Sequence, residues 1–272
     1  MFPRRSLLAA TLAGCAGPLP DGPAAETGDG RDLLARAAAA HGMGDFHAVR
    51  AVRVSYDGTW APLIDRLQPA LVDLGHRGAS EERIAPTEGL VTQSYRGPEG
   101  RKDVERHWTP SPPGSVSVRF DGREATDAER RAAAALVADG YALFLLGPLL
   151  LAGPWRTARS VVAERTGAED ITVGGQPQAC DTLRVRITPG LGLSPSERLL
   201  LYLGRSDGLM RRVRFSLDGL ESTRGAVAEV DAWEHRRVAG LRLPTRFQER
   251  LLRPLQMPVH DWWATDLAVD TA

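Results

Sequence analysis

Leu199-Leu200-Leu201-Tyr202-Leu203, the turn Arg205-Ser206-Asp207-Gly208 and the returning Val213-Arg214-Phe215-Ser216-Leu217 decide how this chain of 272 residues reads. Leu199, Leu201 and Leu203 repeat at a period of two, as do Val213, Phe215 and Leu217. Asp207-Gly208 supplies the positive φ that a tight turn between strands needs. The stretch is a β-hairpin. A strand with one face on water alternates apolar and polar residues, yet residues 199–203 are apolar on both faces. The second face needs a cover, drawn from the chain or from an apolar ligand.

Outward from the hairpin, an antiparallel meander is predicted over residues 180–251. Leu183, Val185 and Ile187 alternate with Arg184 and Arg186, a strand wet on one side, and Arg212 and Arg214 repeat that pattern opposite Val213 and Phe215. Strands at 226–235 and 241–249 follow, joined near Ala239-Gly240, and a tail carries His260, Trp262 and Trp263. Toward the amino terminus, Val52, Val54 and Tyr56 alternate with Arg53 and Ser55. Further strands are expected at 81–85, 90–95, 102–108, 115–120, 160–164 and 170–173, about ten to twelve in all. The gaps between most of them are too short for parallel crossovers, so the strands are expected to be antiparallel.

Two helical stretches interrupt this pattern. In 31–41, Leu33, Leu34, Ala37, Ala38 and His41 share a stripe and Gly42 is the stop. In the insertion 126–153, Thr126 and Glu129 form a capping box, and the helix is expected to stop at Gly140. The apolar run 141–153 follows, with Pro148 opening a second short helix. That interrupted run is too short to cross a bilayer and is expected to lie on a sheet face as a lid or plug.

Composition excludes several classes. Lys plus Arg is 34 and Asp plus Glu is 34, so no basic excess points to nucleic acid. Hydrophobic residues at 43% and charged residues at 25% are those of a globular protein. Six histidines fall at no metal-binding spacing, and no nucleophile elbow, dinucleotide fingerprint or P-loop occurs; Gly192-Leu193-Ser194 lacks the glycine an elbow needs. Asp103 and Glu105, flanked by Arg101, Lys102 and Arg106, read as a solvated charge face. Cys180 reads as a buried inert thiol. No catalytic residue, metal or cofactor is expected.

The amino terminus carries an address. Arg4 and Arg5 precede a short apolar run at 7–13, the size of a signal-peptide core. Leu12-Ala13-Gly14-Cys15 resembles a bacterial lipobox, and Arg4-Arg5-Ser6-Leu7-Leu8 is similar to a twin-arginine signal. Residues 1–14 are thus expected to be a lipoprotein signal peptide, Cys15 the lipidated residue, and 15–30 a Pro-, Gly- and Ala-rich tether extending at most roughly 50 Å. Two or three acyl chains anchor stably where one does not. Ala16 after the cysteine resembles the default signal for the outer membrane.

Ala38-Ala39-Ala40-His41-Gly42, then Asp57-Gly58-Thr59-Trp60, then many strands around one helical segment with Leu243-Pro244-Thr245 near the end, resembles the LolA/LolB-like lipoprotein-carrier superfamily. The resemblance implies a mainly β (α+β) fold for 31–272: one large curved antiparallel sheet, an unclosed half-barrel, with the amino-terminal helix and a helical lid on its concave face. It further implies a non-catalytic protein whose concave face holds a lipid or lipoprotein acyl chain. Tyr141, Phe144, Leu145, Leu149 and Leu150 would form the lid, and Trp60 and Tyr202 the wall. The lipobox departs from the carrier pattern, because a shuttle must leave its membrane; an anchored envelope protein, most naturally on the outer membrane facing the periplasm, fits better. Two other readings stay open. The same side chains could fill a solid core, or the domain could be an envelope protein-protein interaction module with an exposed patch around Trp262 and Trp263.

Overall fold

A computed structural model describes residues 24–108 and 115–272 together with Leu19. The expected signal peptide, the lipobox with Cys15 and half of the expected tether lie outside the described residues. Helix α1 (Gly28–His41) begins three residues before the predicted start, where Thr27 accepts a hydrogen bond from the Gly30 N–H as its cap. After the turn of helix α2 (Met43–Phe46) come β1 (Val49–Trp60), the single turns α3 (Ile64–Leu67) and α4 (Pro69–Val72), and the hairpin-linked strands β2 (Ala79–Ala85), β3 (Leu90–Gly97), β4 (Gly100–His107), β5 (Val116–Phe120) and β6 (Arg123–Glu124). Helices α5 (Ala128–Ala152) and α6 (Pro154–Ala158) precede β7 (Ser160–Val173), β8 (Gln176–Thr188), β9 (Glu197–Gly204), β10 (Met210–Ser216), β11 (Val227–Trp233), the small hairpin β12 (Arg236–Val238) with β13 (Leu241–Leu243), then β14 (Arg246–Arg253) and β15 (Met257–Thr271).

Among the described residues, thirteen strands form one sheet in the order β6-β5-β4-β3-β2-β1-β15-β14-β11-β10-β9-β8-β7. Every pairing is antiparallel. The expected hairpin is β9-β10, with Gly208 at φ 72° in its turn. The predicted strands 160–164 and 170–173 are a single long β7, and the predicted strand 241–249 divides between β13 and β14. The tail is the largest departure from the sequence reading. It is a 15-residue strand, β15, that pairs with β1 on one side and β14 on the other and so joins the two halves of the sheet.

The sheet wraps around α5. In the strand order, β4 and β8 are nine steps apart, about 43 Å in a flat sheet. Yet Arg106 of β4 donates through Nη2 to the Gly192 carbonyl, four residues past β8, at 2.8 Å. The meeting point is Asp139 of α5. Its Oδ1 accepts from Arg106 Nε at 3.1 Å and Trp108 Nε1 at 3.0 Å; its Oδ2 accepts from Arg106 Nη2 at 3.1 Å, Arg159 Nη2 at 2.9 Å and the Gly192 backbone N–H at 2.9 Å. Gly192, at φ 58°, lies so close to α5 that a β-carbon there would sit 2.9 Å from the Leu136 backbone. Asp139, Arg106 and Arg159 are all buried, and the two guanidiniums hold the Asp139 carboxyl below its ordinary range against the effect of burial. The sheet is therefore curved and its α5 face is concave.

Helix α5 corrects three sequence expectations. Its cap is Asp127, which accepts from the Arg130 N–H at 2.8 Å, in place of the Thr126–Glu129 box. It also runs unbroken through Gly140 and Pro148. Its length and composition would suit a membrane span, but it is the core helix: Leu143, Leu145, Leu146, Leu149, Leu150 and Leu151 are fully buried against the sheet. Tertiary packing of this kind outweighs the cost of an internal proline. The expected charge face also divides by the period of two: Arg101, Asp103 and Glu105 point outward, whereas Lys102 and Arg106 are buried and paired with Asp73 and Asp139.

The two-faced hairpin has two covers. Leu199, Leu201 and Leu203 pack in the concave core with α5. Leu200 and Tyr202 face the convex side, where the tip of β7-β8, carrying Ile171, Val173 and Cys180, folds over them together with Leu19. Arg212 Nη2 donates to the Thr172 carbonyl of that tip at 3.1 Å. Beneath it, Arg212, Arg214 and Arg250 interlace with Glu229 and Asp231. Arg212 and Arg214, expected in water, are thus largely covered.

Candidate functional site

Along α5, Leu143, Leu145, Leu146, Leu149, Leu150 and Leu151 are fully buried in the core, and the stripe Leu136, Val137, Gly140, Tyr141 and Phe144 lines a cavity. Between that stripe and the strands the cavity measures about 550 Å³, within the usual range for small-molecule sites. Phe215 of β10, Ala228 of β11, Leu251 of β14 and Met257 and Val259 of β15 supply the sheet side; Trp60 and the single turns α3 and α4, with Ile64, Leu67 and Val72, supply the flank. Leu67 and Leu255 are exposed at its margin, at 55% and 65%. The lining is predominantly apolar, and each methylene of a ligand buried there is worth about 0.8 kcal/mol.

One end is polar. The Arg77 guanidinium lies 5.0 Å from the ring centre of Trp60, 5.2 Å from Tyr141 and 5.4 Å from Tyr95, a cation-π cage. Its Nη1 donates to the Leu71 carbonyl at 2.9 Å, and among the described residues no carboxylate is within ion-pair distance of it. Glu249 faces the same end. Burial pushes its carboxyl up to about 7, while the Arg77 charge acts in the opposite direction. Glu82 behind them is also raised to about 7 by burial, although Gln93 Nε2 at 2.9 Å and the Tyr95 hydroxyl at 3.2 Å donate to it. His260 Nδ1 is 3.1 Å from the Tyr141 hydroxyl, and burial first, then the Arg77 charge, pushes its imidazole down to about 2.

Of the residues singled out from the sequence, Trp60, Tyr141 and Phe144 line the cavity together. Leu145, Leu149 and Leu150 are fully buried in the sheet-facing core and do not reach it. Tyr202 is on the convex face, donating to Glu169 Oε2 at 3.2 Å, because it alternates with Leu201 and Leu203. The exposed patch expected at Trp262 and Trp263 does not form: Trp262 is 1% exposed and stacks on Phe247, and Arg246 lies over Trp263. Sequence reasoning missed Arg77, Glu249 and the whole segment 61–77. Glu249 did leave a signal: between Phe247 and Leu251 it is a carboxylate at an inward position of a strand. Cys180 is buried and its thiol is pushed up to about 11 by burial. No group of three metal-ligating side chains stands together among the described residues.

No protein-family model matches the sequence, and no curated protein matches it. Solved structures do resemble the fold. A DUF1329 family protein from Desulfovibrio piger superposes with a TM-score of 0.51 at 12% identity, over 90% of this chain and 94% of that one. A putative outer membrane lipoprotein-sorting protein domain from Vibrio parahaemolyticus gives 0.43 at 7% identity, over 90% and 93%. A LolA superfamily protein from Nitrosomonas europaea gives 0.40 at 11% identity, over 89% and 94%. The likeness is one of fold: an open antiparallel sheet curled around helices.

Proposed function

We propose that the protein binds an acyl chain of a lipid or lipoprotein in the cavity between α5 and the concave face, without catalysis, while anchored to an envelope membrane through lipidated Cys15. The observation that carries this reading is the apolar cavity of about 550 Å³ lined by the α5 stripe from Leu136 to Phe144 and by residues of the sheet. A solid core would have closed that gap, since protein interiors pack to crystal-like density. The order of charge, apolar run, small residues and cysteine at positions 4–15 supports the anchor, and Ala16 supports the outer membrane as its destination.

Two measurements test the reading. Mass spectrometry of gently extracted protein should find a co-purifying acyl lipid, and Val137→Trp, which fills the cavity, should abolish uptake of a fluorescent fatty acid. Absence of both lipid and uptake in the unsubstituted protein would sink the proposal. Separately, Cys15→Ser should move the protein from the membrane fraction to the soluble fraction.

A further inference from the structure

The acyl-chain reading leaves the polar end of the cavity unexplained, and the inference here rests on that reading. We propose that the cavity takes its ligand head first, with the anionic oxygens of a carboxylate or phosphate head group held by the Arg77 guanidinium and the apolar tail running toward Leu67 and Leu255.

The charge balance favours an anion. Arg77 spends Nη1 on the Leu71 carbonyl and shares a hydrogen bond with the Tyr141 hydroxyl, but among the described residues it has no carboxylate within ion-pair distance. A guanidinium is always charged and presents its donors as a planar fork that matches carboxylate and phosphate. Three aromatic faces cover it without neutralising it. A cationic head would be repelled, and an uncharged alcohol would leave that fork with a weaker acceptor.

Glu249 couples this anion to protons. No hydrogen bond to its carboxyl is made by the described residues, and it faces the same space as Arg77. The other ionisable groups around it are Tyr141 from α5, His260 from β15, held neutral, and Glu82 from β2; on β11 the inward residues Ala228, Val230 and Ala232 carry no charge. Arg224 at the margin is paired with Glu221. Protonated, Glu249 donates to the bound anion; ionised, it repels it. Burial raises its carboxyl to about 7, so anion affinity is expected to fall as pH rises through that value.

Displacement of N-phenyl-1-naphthylamine, an uncharged reporter, by four amphiphiles of matched chain length tests this on the full chain. Palmitate or lysophosphatidic acid should bind about tenfold or more tightly than hexadecanol, with hexadecylamine weakest. The tighter of the two anions identifies whether the head is a carboxylate or a phosphate. Arg77→Met should bring anion and alcohol within about twofold of each other, and Arg77→Lys should keep part of the preference. Glu249→Gln should flatten the pH dependence. Equal affinity for palmitate and hexadecanol in the unsubstituted protein, or a preference for the amine, overturns the head-first inference but leaves the acyl cavity standing. If none of the four displaces the reporter, the acyl-chain reading itself fails and takes this inference with it.

Discussion

The indole of Trp60 lies flat against the imidazole of His260, with ring centres 3.8 Å apart and planes parallel. The stack continues through Trp262 at 4.6 Å to Phe247 at 5.1 Å. Trp60, at the cavity wall, is half-buried, whereas Trp108, Trp155 and Trp262 are buried. An acyl ligand should therefore change tryptophan emission mainly through Trp60. Trp60→Phe is expected to remove most of the ligand-induced change in a fluorescence titration; an undiminished change would place the ligand elsewhere.

Core and wall should separate by substitution. Leu149 and Leu150 are fully buried against the sheet, so Leu150→Ala is expected to cost about 2–5 kcal/mol in urea unfolding while fatty-acid affinity of the folded protein stays within about twofold. Val137→Trp should do the opposite, lowering affinity with little loss of stability. An exchange of these two outcomes would mean that the ligand lies under α5, not beside it.

Asp139 joins β4, α5, α6 and the loop after β8 by five hydrogen bonds. Asp139→Ala would leave Arg106 and Arg159 buried without their shared acid, and the expected loss is about 3–5 kcal/mol. A loss below about 1 kcal/mol in equilibrium unfolding would show that the cluster does not hold the sheet around the helix.

Glu197 predicts a pH dependence of stability. Its carboxyl accepts from the Ser216 hydroxyl, from the Ser216 N–H at 3.1 Å and from the Arg198 N–H at 3.2 Å, yet burial pushes it from 4.5 up to about 8. The folded protein thus keeps a proton that the unfolded chain releases near 4.5. This contribution is complete below that value and is lost as pH rises to about 8. His41 acts in the opposite sense: burial lowers it from 6.5 to about 4, so its contribution is present above 6.5 and lost toward 4. Between about pH 6.5 and 8 the decline from Glu197 is free of that counter-effect. Glu197→Gln should make melting temperature fall less steeply there than in the unsubstituted protein, and parallel curves would refute the assignment.

The strands were legible in the sequence wherever a period of two met a turn residue, as at Asp207-Gly208. The meander, the antiparallel pairing and the helix on the sheet could all be read from such local signals. What could not be read was set by contacts distant in sequence. The partner of β15 is β1, about 200 residues away, and no local pattern announces it. The continuity of α5 through Pro148 depends on leucines that pack against strands on several sides. At the site, the aromatic residues Trp60, Tyr141 and Phe144 stood out by type, and Tyr202 stood out equally though parity puts it on the far face. Arg77 gave no signal, because its role comes from three rings brought to it by β1, β3 and α5.

Leu19 sits beneath the β7-β8 tip on the convex face, 2% exposed. Between it and Cys15 there are only four peptide steps, about 14 Å at full stretch. A lipid on Cys15 would then act less as a long leash than as a short mooring line fixed to the outer curve of the sheet. A membrane held at that distance would lie against the β7-β8 side, with the cavity on the opposite face of the sheet.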